Sequence, residues 1–318
     1  MIKDYNGNNP GSSSYATTSN PGLMSADDKT KLDNLGLSID TLPIGSEVLI
    51  NDSTTIPEGW EEVDDTNYFR KTPKEIPYTW AELKTKCEND DLDDIAVGDY
   101  KDITLNNPNN WTETVRMEVA GINTYKKYGY ENNITGNHID FISKNCLSNY
   151  YNACQMRTTD TNNGVASQQS PFIESEIYRL LNNTIYNFLP TDLKSVIIAK
   201  PLMTPVRYNG SGSLTNDIGR TWCTFPHLWL PYEFEVVGGL FLSTKGQNCG
   251  HRQYELFRLY PYKVTKLCKG NKANWWTASA DDGNNICYIQ CRSTGDISGT
   301  NASQKACIPL CFRVGVKA

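Results

Sequence analysis

Long hydrophobic runs and excess positive charge are both missing from this sequence of 318 residues. The longest candidate run, Val196 to Ala199, ends at Lys200 and Pro201, whereas a membrane-spanning helix needs about 18 or more apolar residues. The 30 Lys and Arg are outnumbered by 36 Asp and Glu, and the net charge of −6 opposes binding to a phosphate backbone. We therefore predict a chain that neither inserts into a membrane nor binds nucleic acid.

The motifs of catalysis and phosphate binding are also missing. The only three histidines, His138, His227 and His251, lie outside any HExxH pattern and have no second ligand at metal spacing. No GxSxG, GxGxxG or Walker loop occurs. Carboxylates are numerous, but nothing singles out two of them for the opposed acid and base roles of a glycosidase, so counting alone leaves that alternative open. We predict a non-enzymatic protein without cofactor or metal.

Cysteine, by contrast, is plentiful, with ten residues. The polar start of the chain shows no basic segment followed by an apolar one, so we expect no export signal and folding in the cytoplasm. In that compartment, free buried thiols are expected rather than a disulfide framework. Cys287 with Cys291, and Cys307 with Cys311, are spaced so that each pair faces one side of a strand. A disulfide or a zinc site is the alternative for these four.

The first forty residues predict an arm followed by one short helix. Residues 1–20 are rich in Asn, Gly, Ser and Thr and offer little to bury, so we expect an arm that becomes ordered on a partner. Ser25 and Asp28 form a capping pattern for a helix over about Ala26 to Leu35, ended by Gly36. A helix this short with so few apolar residues is marginal alone, which favours association with copies of itself.

The middle of the chain alternates helix and strand signals. Thr79 and Glu82 form a second capping-box pattern, which predicts a short helix that ends in a solvated acidic loop, ENDDLDD. Residues 115–123 and 138–145 predict strands, because Val115, Met117 and Val119 alternate with Arg116 and Glu118. Ser170 as N-cap and Pro171 in the first turn predict the start of a helix.

Apolar residues recur at helical spacing through that helix and then give way to shorter segments. The helical positions are Ile173, Ile177, Leu180, Leu181, Ile185 and Phe188. The shorter segments are SVIIAKPLM, LWLPYEFEVV, QYELFRLY, NWWTASA, NICYIQC and CIPLCFRVGV. We expect strands to dominate this half of the chain.

Three segments resemble known families. ATTSNPGLMSADDKTKLDNL, residues 16–35, resembles the GLMS-x-x-DK-x-KL module of bacteriophage tail-fibre and related virion proteins. The following PIGSEVLINDSTTIPEGW resembles the sequences of phage tail-collar proteins, although Glu61 to Asp64 replace the Cys-Asp-Gly often found there. From about Ala96 onward, several segments resemble, in order, a bacterial and phage domain with a C-type-lectin-like core; they include NHIDFISK, SEIYRLLNNTIYNFLP, ANWWTASA and CIPLCFRV.

The lectin-like resemblance has departures that limit what it implies. The WW-x-RS segment of that domain reads Trp275 to Ser279 here, and the closing strand reads Cys307 to Leu310. The triplets EPN, QPD and WND, which carry the calcium ligands of C-type lectins, are absent, so any sugar binding should be calcium-independent. The resemblance extends to formylglycine-generating enzymes, but no cysteine here matches their catalytic positions.

Together these resemblances imply a mixed α+β protein in four parts. The parts are a flexible attachment arm (1–22), an oligomerising helix (23–41), a collar-like β joint (42–75) and a C-type-lectin-like receptor-binding domain (76–318). The expected function is that of a phage virion fibre protein, assembled in the bacterial cytoplasm as a homotrimer. It would attach to another virion protein by its N-terminus and bind a host-surface glycan or protein. Alternatives are a head fibre or capsid decoration protein, the variable ligand-binding protein of a diversity-generating retroelement, or a surface adhesin, which would normally carry an export signal.

We predict that the ligand-binding surface lies between the WW segment and the closing strand. Loops on a rigid scaffold can vary without cost to the core, and Tyr, Asn, Gln and Arg supply contact area and hydrogen bonds. The predicted residues are Asp281, Asn284, Asn285, Tyr288, Gln290, Arg292, Asn301 and Gln304. A merely solvated hairpin is the alternative, with the loop from Tyr208 to Thr221 as the other candidate surface. Trp275 and Trp276 should belong to the core.

Overall fold

The computed structural model describes residues 47–49, 60–63, 68–108, 111–162, 170–205, 220–243 and 249–318. All of them belong to the unit Pro43–Ala318. The predicted arm, the predicted helix Ala26 to Leu35 and most of the loop from Tyr208 to Thr221 lie outside these residues.

Fourteen strands and six short α-helical segments occur in the described part of the chain. The strands are β1 (Glu47–Leu49), β2 (Trp60–Val63), β3 (Tyr68–Lys71), β4 (Tyr100–Asn107), β5 (Trp111–Ile122), β6 (Thr135–Ser143), β7 (Lys200–Pro205), β8 (Arg220–Phe225), β9 (Lys266–Cys268), β10 (Asn271–Ala273), β11 (Trp275–Ala280), β12 (Cys287–Cys291), β13 (Ile297–Asn301) and β14 (Cys311–Lys317). The helices are α1 (Trp80–Glu88), α2 (Glu176–Leu180), α3 (Tyr186–Phe188), α4 (Thr191–Lys194), α5 (Glu233–Val237) and α6 (Glu255–Leu259). A π-helical turn, Leu181–Ile185, joins α2 to α3, and 3-10 turns cover Ser148–Tyr150 and Pro261–Val264.

These elements confirm the mixed α+β class, with 20% helix and 35% strand. The strands form five antiparallel sheets, of which the largest has the order β14-β6-β5-β4. The smaller sheets are β1-β3-β2, β7-β8, β9-β10 and β11-β12-β13. Among the described residues, no helix has both the length and the apolar composition needed to cross a bilayer.

The four-stranded sheet and helix α1 build one side of the core. Val115, Met117 and Val119 on β5 are buried, as their alternation predicts. Glu118, expected to face solvent, is buried as well, because the Lys263 ammonium lies 2.6 Å from its carboxylate. Helix α1 begins at the predicted capping box and packs Trp80 edge-on against Phe141 and Phe312 of the sheet, at 5.5 and 5.7 Å.

The longest predicted helix begins later than its sequence suggests. Ser175, not Ser170, is the N-cap, and its hydroxyl accepts the Tyr178 N–H at 3.0 Å. Residues 171–174 form a turn before the helix, and the Pro171 carbonyl accepts a hydrogen bond from the Tyr288 hydroxyl. The hydroxyl of Ser170 is buried against that of Tyr232 at 2.9 Å.

Two segments expected as strands are helical. Within LWLPYEFEVV, the Glu235 carboxylate accepts the Tyr232 N–H at 2.9 Å, and Gly238 at φ +69° ends the single helical turn of α5. QYELFRLY forms α6, which buries Leu256 and Phe257. Helices of five residues present too few turns for a periodic pattern, so their apolar residues looked like strand segments.

Candidate functional site

The predicted ligand-binding residues lie on or beside the three-stranded sheet β11-β12-β13. Strand β12 is central, and its Tyr288 and Gln290 stand opposite Thr300 and Ser298 of β13. Strand β13 forms one edge of the sheet, and all five of its residues are partly exposed. The loops 281–286 and 302–305 both lie at the open end of the hairpin, where Cys287 pairs with Asn301, and the turn 292–296 closes its other end.

The exposure expected for Tyr288 and Gln290 is wrong. Tyr288 is fully buried and Gln290 is 3% exposed, and the remaining residues of β12 are buried too. The Tyr288 hydroxyl donates to the Pro171 carbonyl at 3.0 Å, which shows that the segment before helix α2 covers this face of the sheet. A central strand with both faces covered cannot present a side chain to a large ligand.

Trp275 and Trp276 are core residues, as predicted. Both are fully buried, and each indole N–H donates to a backbone carbonyl, Trp275 to Val264 at 2.8 Å and Trp276 to Cys154 at 2.9 Å. A buried indole N–H needs such a partner. These hydrogen bonds connect the three-stranded sheet to the segments that carry Val264 and Cys154. The two rings therefore belong to the rigid support of the hairpin.

Three predicted residues are exposed, Asn284, Arg292 and Gln304, and Asn301 is half-buried on the edge strand β13; we call these four the polar rim. The Arg292 side chain is 51% exposed, and its guanidinium donates to Ser298 Oγ at 2.6 Å and contacts the Asp296 carboxylate at 3.4 Å. These local bonds hold the guanidinium over strand β13. The rim therefore combines one cation with three neutral amides.

Asp160, which sequence reasoning missed, anchors one side of the rim. Its carboxylate accepts the Asn301 side-chain N–H and the Ser303 backbone N–H, each at 3.0 Å. Hydrogen bonds from Ser303, with a smaller contribution from Asn301, lower the pKa of Asp160. Nothing in the polar stretch TTDTNN distinguishes this aspartate, because its partners lie more than 140 residues away.

Asn162, also missed, fastens the loop 281–286 to the body of the protein. Its buried side-chain amide donates to the carbonyls of Asp281 at 3.0 Å, Asn284 at 2.8 Å and Cys287. Its backbone N–H donates to the Asn285 carbonyl at 2.8 Å. One side chain thus fixes three backbone positions of the loop.

Asp281 and Asn285 belong to the support of this loop rather than to the rim. Asp281 is 8% exposed and accepts the Gly283 N–H at 2.8 Å, which closes the turn. Asn285 is half-buried and is held through its carbonyl. The structure therefore brings the predicted residues together but divides them between surface, loop support and core.

An open groove of about 370 Å³ is lined in part by residues that neighbour the polar rim in sequence. Lys305 in its lining follows Gln304, and Thr158 precedes Asp160 by two residues. The groove is lined by Ala153, Cys154, Gln155, Thr158, Glu176, Ile177, Leu180 and Lys305. This mixture of apolar and polar lining residues suits a polar ligand with apolar faces, such as a sugar.

Ionisable residues cluster a second time, in the interior. Arg313 Nε and Nη2 donate to both carboxylate oxygens of Asp140, at 2.6 and 2.8 Å, and the Lys200 ammonium pairs with Glu235. The Glu235 carboxylate also accepts the Tyr125 hydroxyl at 2.6 Å. All these side chains are at most 1% exposed, so no ligand reaches them in the folded protein.

Burial and charge pairing set the protonation of this interior cluster. Burial alone would raise the pKa of Asp140, but the Arg313 guanidinium outweighs it and the pKa is lowered. Burial lowers the pKa of Lys200, while Glu235 opposes that effect. Two cations face two carboxylates, so the cluster is formally neutral and serves the core rather than chemistry.

The cysteines are free and buried, all ten of them, which confirms the expectation of core thiols. Cys287 and Cys291 lie on β12 whereas Cys311 lies on β14 of a different sheet, so the four sulfurs considered for zinc do not face one another across paired strands. Within the described ranges, no three His, Cys, Asp or Glu side chains form a group that could hold a metal ion.

Comparison with known proteins gives no relative from which to transfer a function: no family model, no curated protein and no solved structure matches the chain.

Proposed function

We propose that this chain is a non-enzymatic bacteriophage virion fibre protein that binds a host-surface glycan or protein. In this proposal, residues 76–318 form a C-type-lectin-like receptor-binding domain, and the N-terminal arm attaches to another virion protein. The GLMS module at residues 16–35 and the order of the segments from Ala96 onward support it, as does the mixed α+β fold. The chain would reside in the virion after assembly in the bacterial cytoplasm.

The observation that carries the proposal is the polar rim on a rigid support. The Asn301 side chain is held by Asp160, the Asn284 side-chain oxygen accepts the Ile286 N–H at 3.2 Å, and Arg292 is held by Ser298, so three rim side chains have defined positions before any ligand arrives. Side chains ordered in advance lose little entropy on binding. The fully buried tryptophans beneath allow the rim to change without loss of the fold.

The chemistry of the rim favours a neutral or weakly charged polar ligand. Amide groups donate and accept hydrogen bonds, as sugar hydroxyls and peptide groups require, while a single guanidinium adds a planar set of N–H donors. By contrast, Asp140, whose pKa the Arg313 guanidinium lowers, and Lys200, whose pKa burial lowers, lie in the interior cluster, away from the surface. This separation favours binding over acid–base catalysis.

Association into a trimer and attachment through the arm are part of the same proposal. The helix predicted over Ala26 to Leu35 gains a hydrophobic core only by packing against copies of itself. A head fibre or capsid decoration protein would share every feature and differ in where the arm docks. The variable protein of a diversity-generating retroelement would differ in having a reverse transcriptase gene nearby.

Binding to host cells tests the proposal. We expect the fluorescently labelled full chain to bind cells on which the encoding phage grows, and the triple variant Arg292→Ala, Asn301→Ala, Gln304→Ala to bind at least about tenfold more weakly. The matched control is Arg258→Ala, which removes an arginine that is 57% exposed and, like Arg292, paired within its own segment. Tm should change little in either protein, because both sets of side chains lie at the surface.

Each outcome of this assay has a distinct meaning. No binding of the wild-type chain to the host at any tested concentration would contradict receptor binding as a whole. Wild-type binding that the triple variant retains in full would place the receptor surface elsewhere, with the loop from Tyr208 to Thr221 next to be replaced.

A further inference from the structure

Three thiols converge beside the closing strand, in a place that the proposed function does not use. The Cys146 N–H donates to the Leu267 carbonyl at 2.9 Å, and the Leu147 N–H donates to the Ile308 carbonyl at 3.0 Å. These bonds bring the segments that carry Cys146, Cys268 and Cys307 side by side. The Cys268 thiol donates to the Leu147 carbonyl at 3.4 Å, and Cys146 and Cys268 both lie near enough to Cys307 to affect its pKa.

Cys307 differs electrostatically from every other cysteine of the chain. The hydrogen bond from Cys146 contributes most to lowering its pKa to about 6; burial opposes this, and the Asn152 N–H and the Cys268 thiol reinforce it. The Asn152 N–H lies 3.4 Å from the sulfur. In Cys268, by contrast, burial raises the pKa to about 12. The Cys307 thiol donates to Asn152 Oδ1 at 3.7 Å, and its lowered pKa makes it the cysteine of this chain that most readily gives a thiolate, which is the nucleophilic form.

A short exposed turn covers this thiolate. Cys307 itself is fully buried, but Tyr151, Asn152 and Ala153 above it are exposed. Asn152 has φ +45°, a left-handed conformation that is uncommon for residues other than glycine. A turn whose tip residues are all exposed can open locally while the core stays folded.

We propose that Cys146, Cys268 and Cys307 form a disulfide-forming site whose oxidant is a low-molecular-weight disulfide. The Cys307 thiolate attacks one sulfur of the small disulfide, which forms a mixed disulfide and releases one small thiolate. Cys146 or Cys268, after losing its proton to water, then attacks the sulfur of Cys307 and releases the second small thiolate. The two protein thiols are oxidised to one disulfide, and the small disulfide is reduced to two thiols.

The consequence is a cross-link that forms after the protein leaves the reducing cytoplasm. Cys307 precedes β14, whereas Cys146 follows β6 and Cys268 ends β9. Either pairing joins the closing strand to a segment distant in sequence, which restricts the unfolded chain and stabilises the fold. The reduced protein can therefore fold first and gain stability outside the cell.

Native alkylation and disulfide mapping test the site. In the full chain at pH 7, we expect iodoacetamide to modify Cys307 first, with a rate that falls by half near pH 6. After incubation with oxidised glutathione, non-reducing peptide mapping should find Cys307 joined to Cys146 or to Cys268, and Tm should be higher than after treatment with dithiothreitol.

Variants separate this chemistry from a general effect of losing a thiol. Cys307→Ser should abolish the oxidant-dependent rise in Tm. The matched control, Cys287→Ser, should retain the rise, because its hydroxyl can still donate to Asn301 Oδ1 as the thiol does at 3.4 Å. If Cys307→Ser does not fold, the mapping of the wild-type chain decides alone. A disulfide between other cysteines, no disulfide at all, or Cys307 modified no faster than Cys287 would each overturn the proposal.

Discussion

Acidification from pH 7 to pH 5 should destabilise this protein through one buried histidine. His138 is fully buried on β6, where its Nδ1–H donates to the Gly136 carbonyl at 2.9 Å and its Nε2 accepts the Tyr125 N–H at 3.1 Å. Both nitrogens of the neutral ring are thus satisfied. A second proton would set an N–H on Nε2 directly against the Tyr125 N–H.

Burial and the nearby Arg313 guanidinium lower the pKa of His138 to about 3, although Asp140 opposes them. In the unfolded chain the pKa is about 6.5, so between these two values the unfolded state binds a proton that the folded state does not bind. The contribution of His138 to the free energy of unfolding is therefore complete above the unfolded pKa and is lost as the pH falls. The linkage relation gives a loss of about 2 kcal/mol between pH 7 and pH 5, and about 4 kcal/mol by pH 3.5.

Urea unfolding at pH 7 and pH 5 measures this loss as a difference in the free energy of unfolding. His138→Gln keeps an acceptor for the Tyr125 N–H but cannot take up a proton, so its loss between the two pH values should be about 2 kcal/mol smaller than that of the wild type. His227→Gln is the control, because burial lowers the pKa of that half-buried ring less completely.

An equal pH dependence in wild type and His138→Gln would refute the reasoning. If the variant does not fold, the imidazole resonances of the wild type decide instead. The resonance of His138 should not titrate between pH 7 and pH 4.5, and titration near pH 6 would contradict the account.

Three further predictions concern the helix cap, the buried tyrosine and the assembly. Thr79→Ala removes the acceptor of the Glu82 N–H and should lower the free energy of unfolding by about 1 kcal/mol in urea, whereas Thr79→Ser should not; equal losses would contradict the cap. Tyr288→Phe removes the hydrogen bond to the Pro171 carbonyl and should lower the free energy of unfolding by about 1 kcal/mol without weakening host-cell binding. A loss of binding at unchanged stability would contradict the burial of Tyr288. Light scattering of the full chain at micromolar concentration should give the mass of a trimer, and a monomer would remove the proposed association.

Local signals predicted the elements that depend on neighbouring residues. The capping box at Thr79 and Glu82 and the alternation on β5 are contained within a few positions; the structure has the capping box and buries the three apolar residues, although Glu118 is buried too. The start of the long helix was misplaced: Ser175 caps it, while Ser170 and Pro171 bond to Tyr232 and Tyr288, which lie 62 and 117 residues further along the chain. No local pattern reveals such a partner.

The candidate site shows the same division. The sequence located the hairpin and its polar composition, and Arg292 is exposed as predicted, whereas Asn301 is half-buried. It could not show that β12 is central and covered, because alternation predicts two faces but not what packs on each. Asp160 and Asn162 were missed because their role depends on contacts across more than 110 residues.

Imaging of the intact virion tests the central claim most directly. Particles of the encoding phage would be purified, labelled with gold-conjugated antibodies against this chain and imaged by electron microscopy, alongside particles from a mutant that lacks residues 1–20. The account predicts label at the outer part of an appendage on wild-type particles and none on the mutant particles. Wild-type particles without label, and without peptides of this chain by mass spectrometry, would contradict it.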